Sequence, residues 1–127
     1  MELNQLTIKQ AHEGLKKKEF TSVELTEACL YRIKERNGEI NAFITVCEKE
    51  AIEEAKKADA MIAKNEMSFL TGIPYSVKDA ICTKDVRSTG AAKILDNYTP
   101  SFDATVIKKI REQIGRASCR ERVSSPV

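Results

Sequence analysis

Leu70-Thr71-Gly72-Ile73-Pro74-Tyr75-Ser76-Val77-Lys78-Asp79-Ala80-Ile81 is the stretch around which the rest of the chain is organised. A Gly followed two residues later by Pro marks an ordered turn. The Tyr75-Ser76-Val77 run after it reads as a short strand that delivers Lys78 and Asp79 to its C-terminal end. In open α/β sheets ligands collect in the crevice beyond the carboxyl ends of the strands, which makes Lys78 a candidate for chemistry. Taken alone, however, a lysine after a strand is an ordinary solvated residue and the Asp beside it an ordinary turn former. Residues elsewhere have to decide.

Upstream the pattern is helical. Thr7-Ile8-Lys9-Gln10 fits a capping box and predicts a short helix to about Lys18, with Ile8, Ala11 and Leu15 on one face. Its His12 has no carboxylate or cysteine at metal-ligand spacing and reads as a surface histidine. Lys16-Lys17-Lys18 suits the negative end of that helix better than a nucleic-acid phosphate. A second box, Thr21-Ser22-Val23-Glu24, opens a helix expected to stop at Asn37-Gly38, with Leu25, Cys29 and Ile33 spaced four apart and Arg32, Lys34 and Arg36 near its end. Ile40 to Val46 reads as a brief extended segment. Glu48 to Lys64 reads as a third helix with a narrow stripe of Ala51, Ile52, Ala55, Ala58 and Ile62 and a charged opposite face.

Downstream the signals weaken. Thr83 to Ala92 has little periodicity, and Ser88-Thr89-Gly90 is its strongest loop signal. A short helical piece is expected at Ala92 to Leu95. The turn cluster Asp96 to Pro100 precedes a last helix carrying Val106, Ile107 and Ile110, capped by Ser101 or Asp103.

Composition narrows the classes. The 127 residues amount to about one domain, or part of a larger one, and 42% hydrophobic with 31% charged residues is ordinary for a globular protein. A net charge of +2 gives no bulk electrostatic case for nucleic acid. Cys29, Cys47, Cys82 and Cys119 form no C-x-x-C pair and one histidine cannot complete a metal set, so neither zinc nor any other metal site is expected. Cys29 and Cys47 read as small packing residues. No secretory leader or membrane-length apolar run occurs in the 127 residues, so the expectation is a cytoplasmic location without membrane contact. Phosphate-cradle and nucleophile-elbow motifs are absent.

Five segments in order carry a family resemblance: Ser22-Val23-Glu24-Leu25, Ile40-Asn41-Ala42-Phe43-Ile44, the Leu70 to Asp79 stretch, Lys93-Ile94-Leu95-Asp96-Asn97-Tyr98, and Phe102-Asp103-Ala104-Thr105-Val106. Together they resemble the start of an amidase-signature enzyme, and within that family the glutamine-hydrolysing A subunits of tRNA-dependent amidotransferases. The resemblance runs from Leu6 to about Gln113.

It implies an α/β fold, the N-terminal part of a mixed β-sheet core flanked by helices and helix-rich in this portion. It also implies amide cleavage by a Ser–cis-Ser–Lys triad in which Lys78 is the catalytic lysine. The chemistry suits such a role: burial disfavours the charged amine, and a neutral amine can take a proton from a hydroxyl nucleophile that is weak at its free pKa. In the amidotransferases ammonia released from glutamine passes to a partner that converts Glu-tRNA(Gln) to Gln-tRNA(Gln) with ATP and Mg²⁺. The implied partners are therefore amidotransferase subunits B and C in a heterotrimer, with glutamine as substrate and tRNA met through the complex. No cofactor is expected on this chain.

This chain departs from the family pattern in places. The family usually has Asn where this chain has Ala80, Gly where it has Asp85 and Ser where it has Ala92. No Ser before Gln113 matches either triad serine. Ile114 to Val123 resembles the translation of a common sequencing adapter. Residues 1–113 are thus expected to be the N-terminal portion of an amidase domain and residues 114–127 a disordered, non-native tail. Ser118, Cys119, Ser124 and Ser125 are accordingly not taken as catalytic, and the chain alone is expected to be inactive. Two other readings stay open, a fragment of another amidase-signature hydrolase acting on small amides and a non-catalytic helical interaction module.

Overall fold

The computed structural model describes residues 2–114 and 119–123, with side chains described through Gln113. Helix α1 spans Ile8–Lys17 and α2 spans Ser22–Ile40. Both begin where the sequence puts them, because both capping boxes close. Thr7 Oγ1 accepts from Gln10 N at 3.3 Å while Gln10 Oε1 accepts from Thr7 N at 2.9 Å. Thr21 Oγ1 accepts from Glu24 N at 3.1 Å while Glu24 Oε2 accepts from Thr21 N at 2.7 Å. Each box satisfies two donors that the helix cannot.

The end of α2 differs from the sequence expectation. Asn37-Gly38 does not stop the helix, which continues to Ile40, and Asn41 takes the left-handed conformation at φ 53°. Asn37 is occupied otherwise: its side chain donates to Phe43 O at 3.0 Å and accepts from Phe43 N at 2.8 Å, folding the chain back from helix to strand. Gly38 is thereby held in helix despite its poor propensity. Arg32 and Arg36 lie ahead of the last turn, and pair with Glu35 at 2.5 Å and Glu39 at 3.4 Å.

Strand β1 (Phe43–Val46), helix α3 (Glu48–Ala63), strand β2 (Pro74–Lys78), helix α4 (Thr105–Ile114) and strand β3 (Cys119–Val123) complete the fold, with short 3-10 turns at Leu3–Gln5 and Lys93–Leu95. The strand order is β1-β3-β2, with β1–β3 antiparallel and β2–β3 parallel. Cys119–Val123, within the stretch expected to be a tail, forms the middle strand. Two strand edges offer backbone donors and acceptors that do not depend on side-chain identity. Residues 115–118 and 124–127, including Ser118, Ser124 and Ser125, lie outside the described residues. Among the described residues no helix is long and apolar enough to cross a membrane.

The core forms where α1, α2, α3 and the turn before β2 meet. Ala11, Leu15, Leu25, Ile62 and Ile73 are buried together, covered by Leu3, Leu6, Phe20 and Met67. The small-residue stripe of α3 works as its spacing predicts: Ala51 and Ala55 are fully buried against Val23 of α2. His12 is not simply on the surface. It is half-buried with its ring centroid 4.8 Å from that of Phe69, and its Nδ1 has no hydrogen-bond partner.

Asp59 on α3 joins the two long helices, a contact that α3's own pattern does not announce. Its carboxylate accepts from Ser22 N at 2.7 Å and Val23 N at 3.2 Å, so α2 has a second N-terminal anion from another helix. Asp59→Ala is expected to cost about 1–2 kcal/mol, the range of a lost helix cap, read as a lower thermal midpoint. An unchanged midpoint would show that water replaces the carboxylate at no cost.

Asp85 stands where the family usually carries Gly, and its φ is 60°. The position therefore does require left-handed backbone, which Asp tolerates better than most residues and Gly adopts without strain. Ala91, at φ 59°, lacks even a polar side chain to compensate. Asp85→Gly and Ala91→Gly are each expected to stabilise the fold by up to about 1 kcal/mol, with Ala91→Gly the larger. Thermal unfolding of the two single variants checks both the sign and the order.

Candidate active site

Strand β2 alternates as a half-covered strand should, with Val77 buried, Lys78 exposed and Asp79 buried to 2% exposure. The turn that feeds it is built into the core. Ile73 N donates to Leu70 O at 3.2 Å across Thr71 and Gly72, and Gly72 at φ 78° supplies the positive φ at the third turn position. Ser22 Oγ donates to Gly72 O at 2.9 Å, which ties the turn to the start of α2. Lys78 is thus carried on a strand whose entry is anchored to the helical core. In register it lies opposite Val123 of β3.

Beyond Lys78 the chain turns, with Ile81 N donating to Lys78 O at 2.9 Å. Asp79 then organises the following loop. Its carboxylate accepts from Thr89 N at 3.1 Å to each oxygen, from the Thr89 hydroxyl, and from Ala91 N at 3.4 Å. Its backbone carbonyl accepts from Gly90 N at 3.2 Å. Thr89 to Ala92 is itself a tight turn, closed by Ala92 N to Thr89 O at 3.0 Å with positive φ at both Gly90 and Ala91. Three consecutive amides therefore point at Asp79, those of Thr89 and Ala91 at its carboxylate and that of Gly90 at its backbone carbonyl.

Two further side chains hold the loop down. Arg87 donates through Nε to Asp96 O at 2.5 Å, through a second nitrogen to the Asp96 carboxylate, and through Nη1 to Thr45 Oγ1 at 3.2 Å. Asp103, a predicted helix cap, is used differently. Its Oδ1 accepts from Lys84 N at 2.8 Å, and its Oδ2 pairs with Arg111 at 2.9 Å. The helix starts at Thr105, which puts Ala104 rather than Asp103 at the cap position.

The sequence singles out Lys78, and the structure puts it at the C-terminal end of β2. Asp79 reads locally as a turn former, whereas in the fold it is a buried four-donor acceptor. The available signal is the loop chemistry ten residues on: an aspartate at a strand end and a Thr-Gly pair in a segment without periodicity. The burial that would favour a neutral Lys78 is not supplied by the described residues, which leave it exposed. An open groove of about 520 Å³ lies elsewhere, lined by Cys29, Ile33, Asn37, Ile40 and Phe43. Cys47 is buried, Cys29 and Cys82 half-buried, and none of the three is in a disulfide.

Comparison with known proteins sets this geometry in context. The family model Amidase matches residues 24–116, which includes β2, Lys78 and the Asp79-held loop. The A subunit of glutamyl-tRNA(Gln) amidotransferase from Geobacter metallireducens is 48% identical over 112 residues, covering 88% of this chain and 23% of that protein. Its namesake from Dehalococcoides mccartyi is 43% identical over 112 residues, again covering 23% of its length. The chain thus spans about a quarter of the length of these relatives.

Among solved structures, fatty acid amide hydrolase aligns with a TM-score of 0.86 at 19% identity, over 98% of this chain and 22% of that one. The peptide amidase of Stenotrophomonas maltophilia aligns with a TM-score of 0.85 at 21% identity, over 94% of this chain and 24% of that one. Those two likenesses establish the fold. With the family match covering most of the chain and the helix-flanked mixed sheet arranged as in those enzymes, this chain belongs to the amidase family, in its amidase-signature form.

Proposed function

We propose that this chain is the N-terminal portion of the A subunit of a tRNA-dependent amidotransferase, and that Lys78 is the base of its Ser–cis-Ser–Lys triad. The observation that carries the reading is the 48% identity over 112 residues to a protein of that name, in a chain that puts Lys78 at a strand end. In the complete subunit the Lys78 amine would accept a proton through a bridging serine hydroxyl while the nucleophilic serine attacks the side-chain amide of glutamine. The tetrahedral adduct expels ammonia and leaves a glutamyl ester, which water then hydrolyses. Both serines, and the cover that would dry the lysine, belong to the part of the protein that this chain does not span.

Ammonia then passes to the partners, subunits B and C. There ATP and Mg²⁺ serve the conversion of Glu-tRNA(Gln) to Gln-tRNA(Gln), and no cofactor is assigned to this chain. A cytoplasmic location follows from that role in protein synthesis. Residues 1–113 constitute the amidase portion, and residues 114–127 are a foreign extension. Sequencing across the codons for Gln113 and Ile114 tests that boundary. Exposed apolar side chains at Ile94, Phe102 and Val106 support a chain that continues into more fold.

The full-length subunit, purified with its partners, is expected to form Gln-tRNA(Gln) from glutamine, ATP and misacylated tRNA, and residues 1–127 alone to release no ammonia. Hydrolysis of free amides without any tRNA-dependent product would move the protein to another amidase branch. Ammonia release by residues 1–127 alone would overturn the division of the site.

A further inference from the structure

We propose that Asp79 is a positioning residue for Lys78, acting through the turn Thr89–Ala92 that it clamps against the end of β2. The inference rests on the reading of Lys78 as the triad base. A long lysine side chain directs its amine only if its own backbone is held, and each of the two peptides after Lys78 is held through its carbonyl. Lys78 O accepts from Ile81 N at 2.9 Å and Asp79 O accepts from Gly90 N at 3.2 Å. The Asp79 side chain, 2% exposed, takes the Thr89 amide, the Thr89 hydroxyl and the Ala91 amide on the buried side of the strand. Lys78 leaves on the other side.

Buried carboxylates persist where their acceptor capacity is filled, and here one turn fills it. The turn carries strain at Ala91, whose φ is 59°, and the clamp helps to hold it. An asparagine of the same shape cannot substitute. Its NH₂ group would face amide donors, leaving two groups unsatisfied and freeing the turn. Strand end, lysine backbone and loop would then loosen together.

The test uses the full-length protein with its partners, glutamine as substrate and active-site titration to count competent sites. Asp79→Asn is expected to lower kcat per titrated site by about a hundredfold with KM for glutamine nearly unchanged, the signature of a misplaced rather than missing group. Thr89→Val should lower kcat in the same way, and Thr89→Ser, which keeps the hydroxyl donor, should restore it. Asp59→Asn serves as the control for a weakened fold away from the site. It should lower the thermal midpoint and leave kcat per site unchanged. If Asp79→Asn and Thr89→Val only reduce the number of titratable sites, with normal kcat per site, Asp79 is structural and the proposal fails. Should Asp79→Asn not fold, the Thr89 pair alone decides. Lys78→Ala is run in parallel: turnover there sinks the base assignment itself, a different outcome from loss of the Asp79 effect.

Discussion

Lys78→Ala in the full-length protein is expected to abolish ammonia release from glutamine, with a loss of about 10³-fold or more in kcat, as for removal of a triad member. Folding should be nearly untouched, because Lys78 is exposed at the end of β2 and no core contact depends on it. The two effects separate cleanly, so the variant tests chemistry and not stability. Lys78→Arg should fail as well. A guanidinium keeps its proton at any pH a protein survives, so it can preserve charge and length without ever serving as a base. Near-normal turnover by the Arg variant would mean that positive charge alone suffices, and the base assignment would have to be dropped.

Gly72→Ala is expected to cost about 2–4 kcal/mol from two additive sources. The backbone at φ 78° charges any L side chain about 1 kcal/mol or more. A Cβ there would also lie 3.1 Å from both Cβ and Oγ of Ser22 and 3.3 Å from Leu15 Cδ1, inside a packed core where overpacking costs about 1–3 kcal/mol. The steric part can be separated from the backbone part. Ser22→Gly removes the two nearest atoms that the new methyl would meet, so the double variant should be less unstable than the sum of the singles. Urea unfolding of the four proteins in the cycle measures this. Strict additivity would mean that Ser22 yields freely and that only the backbone conformation matters.

Other substitutions around β2 are expected to be milder, and the contrast follows from what each residue touches. Ala80, where the family usually has Asn, is exposed, and Ala92, where it usually has Ser, is half-buried with its amide already bonded to Thr89 O. Neither lies inside the Leu15–Ser22–Gly72 contact that makes the turn rigid.

Helix starts were legible in the sequence because they depend on neighbours within four residues. A Thr with Gln or Glu three positions on closes its own box, as Thr7 and Thr21 do, whatever else the chain is doing. The Gly-x-Pro turn and the strand after it were legible for the same local reason, whereas the role proposed for Lys78 rests on a family pattern spread over five segments.

What escaped the sequence is what spans distance. Asn37 spends its amide on Phe43 and lets α2 run past Gly38. Asp59 reaches 37 residues back to cap α2. Asp103, one residue before the cap position of α4, binds Arg111 and the Lys84 amide instead. Asp79, locally a turn former, became a buried clamp because Thr89 and Ala91 arrive beside it. A short polar side chain has several partners within reach of its type, and its own sequence neighbourhood cannot rank them. Only the packed chain, by bringing one donor close and leaving the others in water, decides which bond is made.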